Sequence, residues 1–335
     1  MQPSGSVTAT SSGTCSLLRA PRVISSQCCG SRPNHRLKLK ARLEWVLSAR
    51  SSAWALGALN YGAGNDPKMK KKYVHGYTER ESVRLVDQAT TLADILHYGT
   101  EYPAGSNVLE AGCGVGAQTI FLARNSPNAK ITAVDLSEES LRAAKKRVSS
   151  QGFTNVTFHQ SDIFHLPYED DSFDHLFLCF VLEHLPNPIE ALKCLRRVLK
   201  RGGTITVIEG DHGSTYFHPE SFNARKTIQC LVDIQAEMGG NSLVGRQLYP
   251  LLKKSKYDEI LVSPRMIYVD SSKPDLVEGF TKNTFIAMVE GVKEQAMRSG
   301  LMEEADWDQG IRDLYRTTGE DGTFIYTFFK GKALK

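Results

Sequence analysis

The chain has 335 residues, 41% hydrophobic and 23% charged, with a formal net charge of +4. That is ordinary for globular protein and long enough for one large core or two small ones, so wholesale disorder and collagen-like or low-complexity architectures are excluded. No run approaches the ~18 consecutive apolar residues of a membrane-spanning helix.

The charge is unevenly spread. Residues 1–68 hold nine Lys or Arg against Glu44 and Asp66, a local +7, so the remaining 267 residues sum to −3. A mildly acidic body argues against a nucleic-acid footprint, which needs a basic stripe on the fold itself. This leader is rich in Ser and Arg and poor in acids, the composition of an organelle transit peptide; a disordered upstream extension with Met69 as working start is the equal alternative. The seven cysteines form no CxxC pair, which points away from a zinc site and towards a reducing compartment. The expected location is therefore cytoplasmic, or mitochondrial if the leader is a genuine transit peptide, and no metal is expected.

Regular structure begins near Thr78, where Thr78-x-x-Glu81 has the spacing of a capping box. Leu85, Ala89, Leu92 and Leu96 continue as one apolar helical stripe. Asn107–Glu110 reads as a buried strand, 118–124 as a helix, 130–134 as a strand and 138–150 as a helix. Then come a strand at 156–159, a strand at 173–180, a helix from the Asn187-Pro188 cap to about Lys200, and a strand at 204–208. Such alternation predicts parallel βαβ units with helices on both faces of a sheet. Beyond Glu209 the pattern loosens into helices near 220–238, 244–255, 274–299 and 303–317, with strands near 259–269 and 323–330. The domain expected over 69–335 thus carries a helical insertion at about 215–318, placed to serve as a lid.

Glu110-Ala111-Gly112-Cys113-Gly114-Val115-Gly116 sits at a strand-to-helix turn, where glycines let a ligand approach the backbone. Asp135 ends the next strand, nineteen residues after Gly116, where an acid can accept both hydroxyls of a ribose. Asp162 follows the third strand, where a carboxylate can accept from an adenine amino group. Each acid alone could equally be a helix N-cap; three such features in register argue for a nucleoside ligand. A dinucleotide enzyme would show G-x-G-x-x-G facing a pyrophosphate. Here the order is G-x-G-x-G behind Glu110, whose carboxylate suits an ammonium or sulfonium group instead.

Val108–Gly116, Asp135, Asp162 and the strand end Phe180-Val181-Leu182-Glu183-His184 resemble the successive motifs of class I S-adenosylmethionine-dependent methyltransferases, in the branch typified by ubiquinone and menaquinone biosynthesis. The resemblance implies a doubly wound, mostly parallel α/β sheet of seven strands in the order 3-2-1-4-5-7-6, the last antiparallel. It also implies that Glu110, Gly112, Gly114 and Gly116 line the methionine end of S-adenosylmethionine. Asp135 would meet the ribose and Asp162 the adenine, while Cys113, Gln118, Leu136, Ile163, Phe180 and Glu183 are further candidate cofactor-binding residues. Tyr77 and Gln88, with Arg84, are further candidates from the N-terminal segment, unless that helix simply exposes a polar face.

His212, in Glu209-Gly210-Asp211-His212-Gly213-Ser214, is the candidate catalytic base; the alternative is a loop histidine satisfied by water. Phe217, Phe222, Tyr249, Met266, Tyr268, Phe285 and Met288 are candidates for an apolar acceptor pocket or for plain core. The motifs of enzymes that methylate nucleic-acid bases or protein arginine are not evident. The expectation is a small organic acceptor, natural-product or quinone-like, with no nucleic-acid partner and a monomeric or homodimeric state. The rivals are a macromolecule methyltransferase, a catalytically silent cofactor-binding scaffold, and, remotely, a nicotinamide oxidoreductase.

Overall fold

The computed structural model describes residues 79–335, within the unit Lys70–Lys335. The leader, the Thr78 cap and Tyr77 lie outside the described residues. Seven strands form one sheet in the order β3-β2-β1-β4-β5-β7-β6, as the resemblance implies. They are β1 (Asn107–Ala111), β2 (Lys130–Asp135), β3 (Val156–Gln160), β4 (Phe173–Cys179), β5 (Leu199–His218), β6 (Asp258–Asp270) and β7 (Thr323–Leu334). The first five pair in parallel, and β7 runs antiparallel to both β5 and β6.

Alternation of side chains along a strand sends neighbouring residues to opposite faces. Val108, Phe177 and Ile208 enter one core, while Leu109, Leu176, Leu178 and Val207 enter the other. Burial on both faces is why these strands read as continuous apolar runs. The helices on the second face include α5 (Pro188–Val198), started by the Asn187 side chain and a proline in its first turn. On the opposite side of the glycine loop, α4 (Glu138–Ser150) is capped by Ser137, whose Oγ accepts from Ser140 N at 3.1 Å. Between β1 and β2 lies α3 (Thr119–Asn125), with Gln118 at its cap.

Three elements depart from the sequence reading. The single N-terminal stripe is two helices, α1 (Glu79–Thr91) and α2 (Ala93–His97). Strand β5 does not stop near Ile208 but continues to His218, because β7 supplies antiparallel partners out to Thr323. Its ladder slips between Asp211 and Tyr216: five residues advance on β5 against two on β7, an enlarged bulge.

The third departure lies between β5 and β7. There α6 (Phe222–Glu237) and α7 (Leu248–Lys254) come first, then the edge strand β6. Where one α-helix was expected over 274–299, a π-helix, Val277–Ile286, is flanked by short α-turns at Pro274–Leu276 and Ala287–Glu290. Short α8 (Lys293–Arg298) and longer α9 (Glu304–Arg316) complete the segment.

The π-helix packs Phe280 and Phe285 onto Phe324, Tyr326 and Phe328 of β7. It meets α1 closely at Gly279, where a Cβ would fall 2.2 Å from Thr91 Oγ1. Lys330 ties α2 to the sheet: its buried ammonium donates to the carbonyls of Leu96 and Tyr98 at 3.0 and 2.9 Å and to Thr100 Oγ1. Those are carbonyls that a helix end leaves without partners.

Candidate active site

In an open α/β sheet the binding crevice opens where strand order reverses, here between β1 and β4. A cavity of about 890 Å³ occupies that position, within the range of small-molecule sites. One end is made by the glycine loop and the ends of β2 and β3. The other runs beneath α1, α6 and the π-helix to the β5 bulge.

The three loop glycines do different work. Gly112 and Gly116 have φ of +78° and +77°, and a Cβ on either would collide, with Val181 at 2.7 Å and with the Ala144 backbone at 2.9 Å. Gly114, with φ of +52°, has open space where its Cβ would stand. Only the last therefore leaves room for a ligand against the main chain. Asp135 holds this loop: one carboxylate oxygen accepts from Gly114 N at 2.8 Å and the other from Ser137 N at 2.9 Å. The helix-cap alternative for Asp135 does not apply, since Ser137 caps α4. Asp162 does act as a cap, accepting from Phe164 N at 3.0 Å at the start of a short 3-10 turn, while still lining the cavity. Leu136 is half exposed beside Asp135 and Ile163 is buried; both border the same end.

Glu110 is 2% exposed, and burial pushes its carboxyl up to about 7. Its Oε2 is buried with no hydrogen-bond partner. Gln118 sits across the loop with its Oε1 2.7 Å from His97 Nε2. Burial lowers His97 to about 4, so the ring is neutral and its N–H can donate, which turns the Gln118 amide hydrogens towards the cavity. Cys113 is buried in the loop as a thiol raised by burial.

Phe180 stands at the foot of β4 in the left-handed region, φ +58°, an uncommon conformation for a bulky residue. Its ring lies 5.5 Å from that of Phe328. The turn that follows is clamped by Glu209, whose Oε1 accepts from Val181 N and Leu182 N at 3.0 and 2.8 Å. Glu183 and His184 both line the cavity, with Glu183 Oε1 3.4 Å from His184 Nε2.

On α1, Arg84 and Gln88 are 8% and 7% exposed and line the cavity. An exposed polar face is thus not what this helix presents here. Arg84 is engaged bidentately by Glu81 at 2.6–2.7 Å.

His212 is not a solvated loop histidine. It is 5% exposed on the β5 bulge, with Nδ1 2.7 Å from the Tyr326 hydroxyl, and burial lowers its basicity. The bulge is secured on both sides: Arg246 grips Asp211 with two bonds of 2.6 Å, and Ser214 Oγ accepts from Thr327 N at 3.0 Å. Around His212 the cavity is walled by Phe180, Phe280, Met288, Tyr326 and Phe328. Of the residues expected to form an apolar pocket, Met288 lines it, and Phe285 packs edge-on behind His212. Phe217 is core, while Phe222, Tyr249, Met266 and Tyr268 are exposed and lie away from the cavity.

The sequence reading had singled out neither Glu209's clamp nor Tyr326, Phe280 or Phe328. Glu209 was visible only as a polar residue in an apolar strand, and the β7 aromatics only as strand formers.

Residues 103–262 match the family of methyltransferase domains. That stretch of the chain is a methyltransferase domain, and the seven-stranded sheet around it has the strand order expected of the class I fold. Among its relatives is the methyltransferase GfsG of Streptomyces halstedii, 32% identical over 37% of this chain and 45% of that protein. Another is the demethylmenaquinone methyltransferase of Staphylococcus aureus, 37% identical over 31% of this chain and 43% of the relative. The chain thus spans less than half the length of these two relatives. A solved structure similar to the methyltransferase domain is Haemonchus contortus phosphoethanolamine N-methyltransferase 2, in complex with phosphomonomethylethanolamine and S-adenosylhomocysteine. It has a TM-score of 0.47 and 19% identity, over 73% of this chain and 52% of that one.

S-adenosylmethionine is the cofactor of such domains, and the cavity fits it. The methyltransferase domain offers an orphaned buried carboxyl oxygen on Glu110 and an unobstructed backbone at Gly114. Among the described residues, no group of three or more His, Cys, Asp or Glu is placed to hold a metal ion, and no helix is long and apolar enough to cross a membrane.

Proposed function

We propose that the protein transfers a methyl group from S-adenosylmethionine to a small organic acceptor of natural-product or quinone-like character. The observation that carries this reading is the continuity of one cavity from the glycine loop to the aromatic chamber around His212. When bound, S-adenosylmethionine supplies an electrophilic methyl on a sulfonium centre. The chain's own part is then to hold, orient and dry the reacting groups, which accounts for most of the acceleration in an in-line displacement.

In this reading Glu110 and Gln118 hold the methionine end against Gly112, Cys113, Gly114 and Gly116. Asp135 takes the ribose, Leu136 covers it, and Asp162 with Ile163 takes the adenine. Phe180 and Glu183 form the floor, Gln88 and Arg84 close the site from α1, and His212 faces the acceptor. The segment between β5 and β7 serves as the lid. The four described cysteines are free thiols, which supports a reducing compartment, cytoplasmic or mitochondrial.

A second reading has one feature behind it. Exposed Lys145 and Lys146 stand on α4, and Lys146 borders the cavity, which suits a polyanionic acceptor. Salt-sensitive binding of a homopolymer RNA, abolished in Lys145→Glu/Lys146→Glu, would favour it.

The main reading is tested by calorimetric titration of the full chain with S-adenosylmethionine, beside Gly114→Arg and Asp135→Ala. Micromolar binding lost in the first variant and weakened at least tenfold in the second is expected. A folded wild-type chain that does not bind sinks the proposal.

A further inference from the structure

His212 has two ring nitrogens with different surroundings. Nδ1 is occupied by the Tyr326 hydroxyl at 2.7 Å, and Nε2 is the nitrogen left for the cavity that the ring lines. A neutral imidazole carries one proton, and the hydrogen bond made at one nitrogen decides which of the two holds it. Tyr326 supplies that decision. It is 2% exposed, packed among Phe280, Phe285 and Phe328, and its hydroxyl oxygen stands where a side chain on Gly210 would begin.

The backbone amide of Asp211 also faces the phenolic oxygen, using a lone pair but not the hydroxyl proton. Among the described residues, His212 Nδ1 is the sole acceptor within hydrogen-bond distance of that hydroxyl. A buried O–H left without an acceptor costs about 1–3 kcal/mol, so the phenol donates to Nδ1.

We propose that Tyr326 is a positioning residue that keeps the His212 proton on Nε2, so that the ring meets the acceptor as a hydrogen-bond donor. The acceptor chemistry that matches is an oxygen anion of the phenolate or enolate class rather than an ammonium, which an N–H would repel. This rests on the methyltransferase reading and deepens it.

The step balances without a proton passing through His212. The acceptor oxygen, ionised with its proton released to solvent and held by the Nε2–H, gives an electron pair to the methyl carbon. The C–S bond breaks with its pair returning to sulfur, so the oxyanion and the sulfonium charge are discharged together. Four other titratable groups face the ring. They are Glu183 and His184 on the turn after β4, Arg84 on α1 and Asp211 on β5 itself. Arg84 and Asp211 are held by Glu81 and Arg246.

The test is nitrogen NMR of the full chain labelled with 15N-histidine, with His212 assigned by the signal missing in His212→Gln. The expected wild-type spectrum shows His212 protonated at Nε2 and bare at Nδ1 at neutral pH. In Tyr326→Phe that preference should collapse towards a tautomer mixture, with circular dichroism checking the fold. A bare Nε2 in the wild type, or no change in the variant, overturns the assignment.

For the acceptor class, 4-nitrophenol and benzylamine are titrated into the chain saturated with S-adenosylhomocysteine. Nitrophenolate should bind at least tenfold more tightly, an advantage lost in His212→Ala; tighter benzylamine, or binding of neither, overturns that part. Failure of S-adenosylhomocysteine itself to bind while the Nε2–H signal persists would instead remove the methyltransferase reading and leave the tautomer standing.

Discussion

Glu110 and Gly114 lie four residues apart and govern the cofactor end by different physics. Gly114 is a matter of space. Gly114→Ala meets no neighbour in the protein but must hold φ at +52° and puts a methyl into the space left for the ligand, so a loss of about 1 kcal/mol in stability with weakened binding is expected. Gly114→Arg should abolish binding with little further change in melting temperature.

Glu110 is a matter of charge. Its carboxyl titrates near 7 in the ligand-free protein because burial disfavours the anion, while a sulfonium or ammonium ligand favours it. Affinity for S-adenosylmethionine should therefore climb with pH, by up to about tenfold per unit, and level off above roughly pH 7. Glu110→Gln should flatten that slope. The ligand-free protein runs the other way. Between about 4.5 and 7 the folded state keeps a proton that the unfolded chain releases, so this carboxyl's contribution to stability is full below 4.5 and lost as pH rises through 7. Melting curves with and without ligand separate the two effects. The glycine loop and its acids were legible because they depend on near neighbours in sequence. The Tyr326–His212 contact joins residues 114 positions apart and was not.

At the scale of elements, the clamp from β5 to the turn after β4 makes a sharp contrast. Glu209→Ala strands two buried N–H groups of Val181 and Leu182, and a cost of about 2–4 kcal/mol in denaturant unfolding is expected. Glu209→Gln keeps a carbonyl oxygen in place and should stay within about 1 kcal/mol of wild type. Helix α4 could be bounded from sequence at both ends because Ser137, Leu141, Ala144 and Val148 spell its cap and its inner stripe locally. The outer half of β5 could not. Gly210, Gly213 and Ser214 read as a loop, and it is the distant β7 that completes the ladder around them. A π-helix likewise has no apolar period that distinguishes it in a single sequence from an α-helix, so 277–286 was read as the commoner form.

Across the whole molecule, the roof of the cavity is fastened at two points. One is the contact of Gly279 with Thr91. Gly279→Ala should force α1 and the π-helix apart, costing about 1–3 kcal/mol and loosening ligand binding, because Arg84 and Gln88 ride on α1. Adding Thr91→Ala removes the atoms in conflict and should restore much of both, a coupling that a double-mutant cycle measures. The other point is Lys330, whose three acceptors lie on and just after α2.

The π-helix gives this roof an evolutionary property. Its ten residues, Val277–Ile286, form turns wider than those of an α-helix, so loss of a single codon can relax a turn to the commoner form while the chain still spans the gap. Tightening of the turn takes up part of such a loss, and the side chains beyond it shift around and along the axis relative to those before it. Phe285 and Met288, one packed behind His212 and the other on the chamber wall, would be re-aimed together. A lineage could thus exchange one acceptor for another through a one-residue deletion, leaving the glycine loop and its acids untouched.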